Sequence, residues 1–335
     1  MAERLRIVPL TDDLVHDAGR LVAERHRDER ARHPILTARL EDTAEAAQLV
    51  AATCSYSTAL AALDGEDRLA GFLSSWTNVP QPTSTAARFS PVRSSMFVVQ
   101  GHAVRAHADP YRTYQALFAA HAQRLLDDDP PCTDHVAHVP APALDAWADF
   151  GFGRAHAFAV RDLAPVDAHA RDIEIRQATP DDLDLVEALV DEESRYHATS
   201  PILRPYLGEQ TRDALRAELL ASLEDEQTGV LLAGDVGVLR IGRPFGSPLY
   251  VPDGAAYISE TAVVPSARNR GIGTALLARA IDWAHEHEHR ALVLHYATTN
   301  VLSSSFWPGQ GFTPVLWHVR RTLDDRITTM RPTAP

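Results

Sequence analysis

The chain repeats itself at a spacing of 160 residues, and this repeat limits its fold more than any other feature. Trp147, Gly151, Phe152, Arg161 and Leu163 recur as Trp307, Gly311, Phe312, Arg321 and Leu323. In the middle, Ala116-Leu117 recurs as Ala275-Leu276, at an offset of 159. At the start, Leu5 to Val8 followed by Thr11-Asp12-Asp13 is answered by Ile173-Glu174-Ile175-Arg176 followed by Thr179-Pro180-Asp181-Asp182, and Pro34-Ile35-Leu36 by Pro201-Ile202-Leu203. Both ends and the middle recur in one order, so the chain reads as two copies of one domain, each of ordinary domain size. The expected division is 1–163 and 172–335, joined by a Pro/Ala/polar linker over 164–171. Each copy reads as strand, helix, second helix, an antiparallel run of strands, helix, strand, helix, strand. Hairpin signals lie at Gly65-Glu66-Asp67 and Gly234-Asp235. The fold class is therefore α/β of the α+β kind, a mixed and mostly antiparallel sheet flanked by helices.

The most informative stretch runs from Tyr257 to Thr274, YISETAVVPSARNRGIGT. Its apolar, β-branched start predicts a strand, and Pro265-Ser266-Ala267 a turn. Leu276, Leu277, Ala280, Ile281 and Ala284 then predict a helix with one apolar face, beginning near Gly271. Gly271 and Gly273 let the backbone turn sharply and a ligand come close to its amides. Those amides have no acceptor within the helix and the helix dipole adds positive potential, so the helix start suits a phosphate or pyrophosphate. Arg268 and Arg270 add fixed charge.

Arg268-x-x-Gly271-x-Gly273, preceded by Ala262-Val263-Val264-Pro265, resembles the acetyl-CoA loop of the GNAT N-acetyltransferases, whose pattern is Gln/Arg-x-x-Gly-x-Gly/Ala. Asn300 through Trp307 to Gly311-Phe312 resembles the closing segment of the same family, and the likeness spans roughly Ile173 to Leu323. The resemblance implies two GNAT-like domains in tandem, the second an N-acetyltransferase with acetyl-CoA as acyl donor. It further implies that Ala262, Val263 and Val264 lend backbone groups to the pantetheine arm. Arg268, Asn269, Arg270, Gly271, Ile272, Gly273 and Thr274 would hold the pyrophosphate, with Asn300 and Trp307 near the cofactor. Asn300 also reads as a helix cap. Trp307 stands where many relatives carry a Tyr proposed to protonate the departing thiolate, and indole is no acid at neutral pH. Water or another side chain then supplies that proton, or none is needed.

Aligned through Ala116 and Ala275, the first copy sets Arg112 and Tyr114 opposite Gly271 and Gly273, and Asp109-Pro110 opposite Arg268-Asn269. Bulk replaces open backbone, the charge reverses, and Pro removes an N–H donor. The first copy is expected to have lost the cofactor, serving as structure or as one wall of the acceptor site.

Acyl transfer from a thioester to an amine needs a base or water chain to take the amine's proton and a donor for the oxyanion. Glu260, the one carboxylate in an apolar strand, is one candidate base because desolvation would raise its pKa. Its other reading is a structural pair with an arginine, or a solvated edge. His295, inside ALVLHY, is the second candidate base, or else a hydrogen-bonded core residue. Arg195-Tyr196-His197 reads as acceptor-pocket lining or as a solvated helix end, and Pro244 to Gly254 as a connector or as the acceptor entrance. The expected acceptor is a primary amine of a small molecule or peptide. The alternative is a non-catalytic acyl-CoA-binding or sensor protein; within the class, a mycothiol-synthase-like acetyltransferase is the runner-up.

Composition narrows the partners. A net charge of −13 argues against nucleic acid or an anionic membrane as the main partner. All 32 basic residues are Arg, so lysine Schiff-base chemistry and self-acetylation on a lysine side chain are excluded. Cys54 and Cys132 are too few for a disulfide scaffold or a thiolate zinc site. His285, His287 and His289 read as the polar end of an amphipathic helix, and no metal is expected. MAERLRIVPL has no apolar signal core, and no run approaches the ~18 apolar residues of a membrane span. The expected location is cytoplasmic, and a homodimer is left open.

Overall fold

The computed structural model describes residues 5–106, 108–168, 174–200 and 208–328. Ile173, Pro201-Ile202-Leu203 and linker residues 169–171 lie outside the described residues. The first half runs β1 (Arg6–Pro9), α1 (Asp12–Arg32), α2 (Thr43–Cys54), β2 (Thr58–Leu63), β3 (Leu69–Asn78), β4 (Ser94–Phe97), β5 (His102–Val104), α3 (Pro110–Asp127), β6 (Asp134–Val139), α4 (Leu144–Asp149) and β7 (Gly153–Asp162). The second runs β8 (Ile175–Gln177), α5 (Leu183–His197), α6 (Glu209–Glu224), β9 (Gly229–Ala233), β10 (Gly237–Gly242), β11 (Ala255–Val263), α7 (Ile272–Glu286), β12 (Ala291–Ala297), α8 (Ser303–Gly309) and β13 (Thr313–Thr322). The element order is that expected from the sequence, except that two short strands, β4 and β5, stand where the second half has the nine-residue β11.

Local chemistry repeats along with the order. Gly151 and Gly311 both end a short helix in the left-handed region, at φ 84° and 85°, which glycine adopts without strain. The following amides close the same turn in both halves: Phe152 N–H donates to the Trp147 carbonyl at 3.2 Å, and Phe312 N–H to that of Trp307 at 3.1 Å.

The compact units do not follow the sequential division. Unit 1 comprises residues up to 79, 91–154 and 316 onward; unit 2 comprises 80–90 and 155–315. Relative to the division at 163 and 172, residues 80–90 and 155–163 lie in unit 2 and 316 onward in unit 1. The cause is the pairing of the last strand of each half. In unit 2 the sheet order is β7-β12-β11-β10-β9-β8, with β7 antiparallel to β12 from His156↔Ala297 to Asp162↔Ala291. In unit 1 the order is β1-β2-β3-β4-β6-β13, with β5 on β3 and β13 antiparallel to β6 from Trp317↔Val139 to Thr322↔Asp134. The repeated arginines of these two strands make matching contacts. In unit 2, Arg161 donates to the Gln310 carbonyl at 2.6 Å and covers the Phe312 ring; in unit 1, Arg321 donates to the Phe150 carbonyl at 2.6 Å and covers the Phe118 ring.

Unit 1 packs around Trp147, which is fully buried and ringed by Phe97, Tyr114, Phe118 and Phe152. In unit 2, α5 and α6 cover one face of the sheet through Val186, Leu189, Leu215 and Leu219 against Val230, Leu232 and Val238. On the other face lies α7, where Ile272 and Leu276 meet Gly237 and Trp283 meets Gly229. No helix among the described residues is long and apolar enough to cross a membrane.

Candidate functional site

Unit 2 holds a forked pair of strands. The parallel pairing of β11 with β12 covers Ala255–Ile258 against Ala291–Leu294 and extends no further among the described residues. Both strands continue, so they part after Ile258 and Leu294. On the other side of β11 the register steps from Ile241↔Ile258 to Arg240↔Glu260, a β-bulge that leaves Ser259 without a β10 partner. Ser259 thus has a strand partner on neither side. From there to Val263 the β12-facing backbone, including Ala262 and Val263, has no ladder to join, and polar backbone in that position calls for another partner.

The glycine loop stands beyond β11, after Val264. Asn269 and Gly271 take left-handed backbone, φ 59° and 78°, which turns the chain back into α7 at Ile272. No side chain caps α7, so the amides of its first turn lack a protein acceptor from that source. Arg270 and Asn269 are exposed, Thr274 is half-buried, and Ile272 is buried in the apolar face of the helix. Arg268 does more than present charge: its Nε donates to the Val263 carbonyl at 3.0 Å, it lies 3.5 Å from Glu192, and it covers the Tyr196 ring. It braces the loop to β11 and α5. Gly273 has a packing reason too, since a Cβ there would meet the Phe306 ring of α8 at 3.2 Å.

Glu260 and His295 are both half-buried, but they are employed differently. Arg240 holds both oxygens of Glu260, at 2.6 and 2.9 Å, and also bonds Ser259 Oγ, Ser222 Oγ and Glu218. Burial alone would lower the Arg240 pKa; the charges and hydrogen bonds of Glu260 and Glu218 outweigh it and hold the guanidinium charged. Taking a proton would break this bidentate pair, so the arginine-paired reading of Glu260 fits the geometry better than the base. His295 is the first residue of β12 beyond the fork, and its Nδ1 lies 3.1 Å from the Tyr257 hydroxyl. Burial first, then the charges of Glu260 and Glu193, raises the Tyr257 pKa, which keeps its hydroxyl protonated. Phe158 and Phe245 pack on His295 at 4.8 and 5.9 Å.

Residues 80–90 reach the same side of unit 2 from the first half of the chain. Arg88, 3 % exposed, donates to Ser194 Oγ on α5 at 2.6 Å. Phe89 packs edge-on to His197, and the Pro82 carbonyl accepts from Thr211 Oγ1 on α6 at 3.2 Å. Nothing in PQPTSTAARFS shows this in sequence, because the contacts span about a hundred residues. Tyr257, Arg240 and Arg88 escape a reading by motif for a similar reason, their roles being set by cross-strand and tertiary partners.

Two expected cofactor residues are otherwise engaged. Asn300 Oδ1 accepts from the Leu302 and Ser303 amides, both at 3.1 Å, and so caps the entry to α8. Trp307 is 6 % exposed and packs on Phe306 and Phe312 in the core. His287 and His289 stack on Trp283, and His285 lies in the last turn of α7.

A sequence profile described as the acetyltransferase (GNAT) family matches residues 187–312. Among solved structures, a GCN5-related N-acetyltransferase from Sphaerobacter thermophilus aligns with TM-score 0.59 at 13 % identity, covering 96 % of each chain. A fungal multi-domain GH3 β-N-acetylglucosaminidase with a GCN5-related glucosamine N-acetyltransferase region aligns with TM-score 0.56 at 12 % identity, covering 96 % of this chain and 38 % of that one. A tandem GNAT protein from the clavulanic acid biosynthesis pathway matches at TM-score 0.48 and 16 % identity, over 99 % of this chain and all of that one. Comparison with curated protein sequences returned no significant match. The profile spans most of α5, the fork, the glycine loop and α8, so residues 187–312 carry a domain of the GNAT acetyltransferase family, on a fold that the Sphaerobacter thermophilus structure shares along the chain.

Proposed function

We propose that unit 2 moves an acetyl group from acetyl-CoA directly to a primary amine of a small molecule or peptide. The observation that carries this reading is the fork: from Ser259 to Val263 β11 has no β12 partner, and it leads to an uncapped helix start at Gly271. A pantetheine arm fits the first, and a pyrophosphate fits the amides of 271–274 with Arg270 beside them. Acetyl-CoA supplies the thioester carbonyl that the amine attacks. The amine proton passes to the Tyr257 oxygen as the Tyr257 proton passes to His295 Nδ1, leaving an imidazolium and a neutral phenol. The backbone at Ser259 donates to the carbonyl oxygen as it gains charge. The C–N bond forms, the C–S bond breaks, and solvent protonates the thiolate, since Trp307 is no acid.

The buried Trp307 and the arginine-bound Glu260 favour one other reading, a non-catalytic acyl-CoA-binding or sensor protein. Thiol release from acetyl-CoA with an amine panel separates the two. Amine-dependent release that disappears in Gly271→Arg supports transfer, whereas tight CoA binding without release across a broad panel supports the sensor.

A further inference from the structure

We propose that the acceptor is an amine carried on an aromatic or similarly flat apolar body, with no carboxylate beside its nitrogen, an inference that rests on the transferase reading of unit 2. Rings crowd the Tyr257–His295 hydrogen bond. Phe158 lies 4.8 Å from His295, and Phe245 lies 5.8 Å from Tyr257 and 5.9 Å from His295. Phe245 is 63 % exposed, yet the loop that carries it is anchored by Leu249 and Tyr250, which are 0 % and 1 % exposed. The backbone therefore holds an aromatic ring in solvent beside the proton relay. Ring faces stack on flat apolar bodies and attract an ammonium group.

The charges on this face select in the same direction. Glu192, Glu218 and Glu260 each meet an arginine, at 3.5, 2.6 and 2.6 Å. Glu193 instead meets His197, at 3.6 Å, and its charge is felt at the Tyr257 hydroxyl. Its negative potential is thus left to a cation arriving at the relay, as the protonated form of an amine would. Of the arginines nearby, Arg240 is engaged by Glu218 and Glu260 and Arg268 by the Val263 carbonyl and Glu192, while Arg88 is 3 % exposed, bonds Ser194, covers the Phe89 ring and spends its charge on Glu218, with its Nε buried and unpartnered. A carboxylate beside the acceptor nitrogen would face Glu193 with no cation to answer it. A polyhydroxylated amine would press hydroxyl groups against ring faces that cannot satisfy them.

Three amines test this on the full chain: 2-phenylethylamine, phenylalanine, which adds only a carboxylate, and glucosamine, which replaces the ring with a polyol. The measurements are kcat/KM with acetyl-CoA and the binding of each amine to CoA-loaded protein by calorimetry. 2-Phenylethylamine should exceed both others by at least about tenfold. Phe245→Ala should raise its KM about tenfold with kcat nearly kept, as expected for lost ground-state contact. Phe245→Leu should recover part of that loss, and Glu193→Gln should reduce the preference over phenylalanine. Equal or better use of phenylalanine or glucosamine overturns the proposal, and a phenylalanine preference lost in Arg88→Ala would assign carboxylate recognition to Arg88 instead. No amine binding to the CoA-loaded protein overturns it as well. Failure of the wild-type chain to bind CoA in a separate titration overturns the transferase reading along with it.

Discussion

The two halves of the chain build the same helix after the same run of strands and treat its first turn in opposite ways. At α3 the Asp109 carboxylate accepts from the Arg112 amide at 3.2 Å, and Pro110 has no N–H to satisfy. At α7 the turn is made by Gly271 and no side chain closes it. Above that turn, Tyr114 in α3 faces a core that includes Ala146 of α4, while in unit 2 the helix has Gly273 and the ring comes from Phe306 of α8. Ring and small residue have changed places. Each half also hydrogen-bonds a tyrosine to a histidine. Tyr114 and His102 are sealed in the core at 3 % and 0 % exposure, whereas Tyr257 and His295 are half-buried beside an open fork. A helix start serves as an anion site only where the chain has not already supplied the anion, and a polar pair serves as a relay only where something can reach it.

The largest effect expected of this difference is on the chemical step. Tyr257→Phe and His295→Gln should each lower kcat by about 10²–10³-fold, in the range of general-base contributions, with CoA affinity unchanged. Tyr114→Phe, which cuts the corresponding hydrogen bond of unit 1, should leave kcat as it was and cost about 1 kcal/mol of stability. Equal losses of kcat in both units would end the distinction between a sealed pair and a working one. Next in size is cofactor affinity. Gly271→Arg forces a left-handed position and fills the amide turn, and should weaken CoA binding by at least about a hundredfold, near 3 kcal/mol. Calorimetry on the wild type should give one CoA per chain; two would mean that α3 also binds.

These contrasts were legible in sequence to different depths. DPYRTYQ against RNRGIGT already announces one closed and one open helix start, because glycine, proline and charge act locally. The order of elements was legible for the same reason, as turns and apolar periodicity are local signals. The assignment of strands to units was not. β7 and β13 both carry apolar residues, and their pairing with β12 and β6 joins segments far apart in the chain, which no local signal announces. Nor could sequence decide between the two readings of Glu260, since its pairing depends on Arg240, twenty residues away, and on the bulge beside it at Ser259. Trp307 and Asn300 match their motif positions and yet face the core and the start of α8.

The sealed pair of unit 1 should show itself in acid. Burial, then the charge of Arg25, lowers the His102 pKa to about 3. Above pH 6.5 the ring is neutral whether folded or unfolded. Below it the unfolded chain takes up the proton and the folded one does not, so stability falls, by about 2 kcal/mol at pH 5. Urea melts at pH 7 and pH 5 measure this, and His102→Gln should reduce the difference by about that amount, leaving the part due to His121 and His138, whose pKa values burial also lowers to about 4. An unchanged pH dependence in that variant would show that His102 is not the group being protonated.

The smallest expected effect asks which of the two closures matters more at α3. Asp109→Ala removes the cap and should cost about 1 kcal/mol of unit 1 stability, the usual value for an N-cap carboxylate. It also removes the negative charge from the helix start and leaves the first-turn amides open, as they are at α7. If the carboxylate alone kept the cofactor away, this variant would bind a second CoA, weakly. Tyr114 remains in place, however, with its ring in the core against Trp147 at 5.9 Å and its hydroxyl on His102 at 2.9 Å. Pro110 still withholds one amide, and the strand before α3 is broken into β4 and β5, so among the described residues no long strand leads into α3 to receive a pantetheine arm. The expected result is therefore a less stable unit 1 with CoA stoichiometry still at one. A second site in Asp109→Ala would instead place the whole difference between the halves in a single carboxylate.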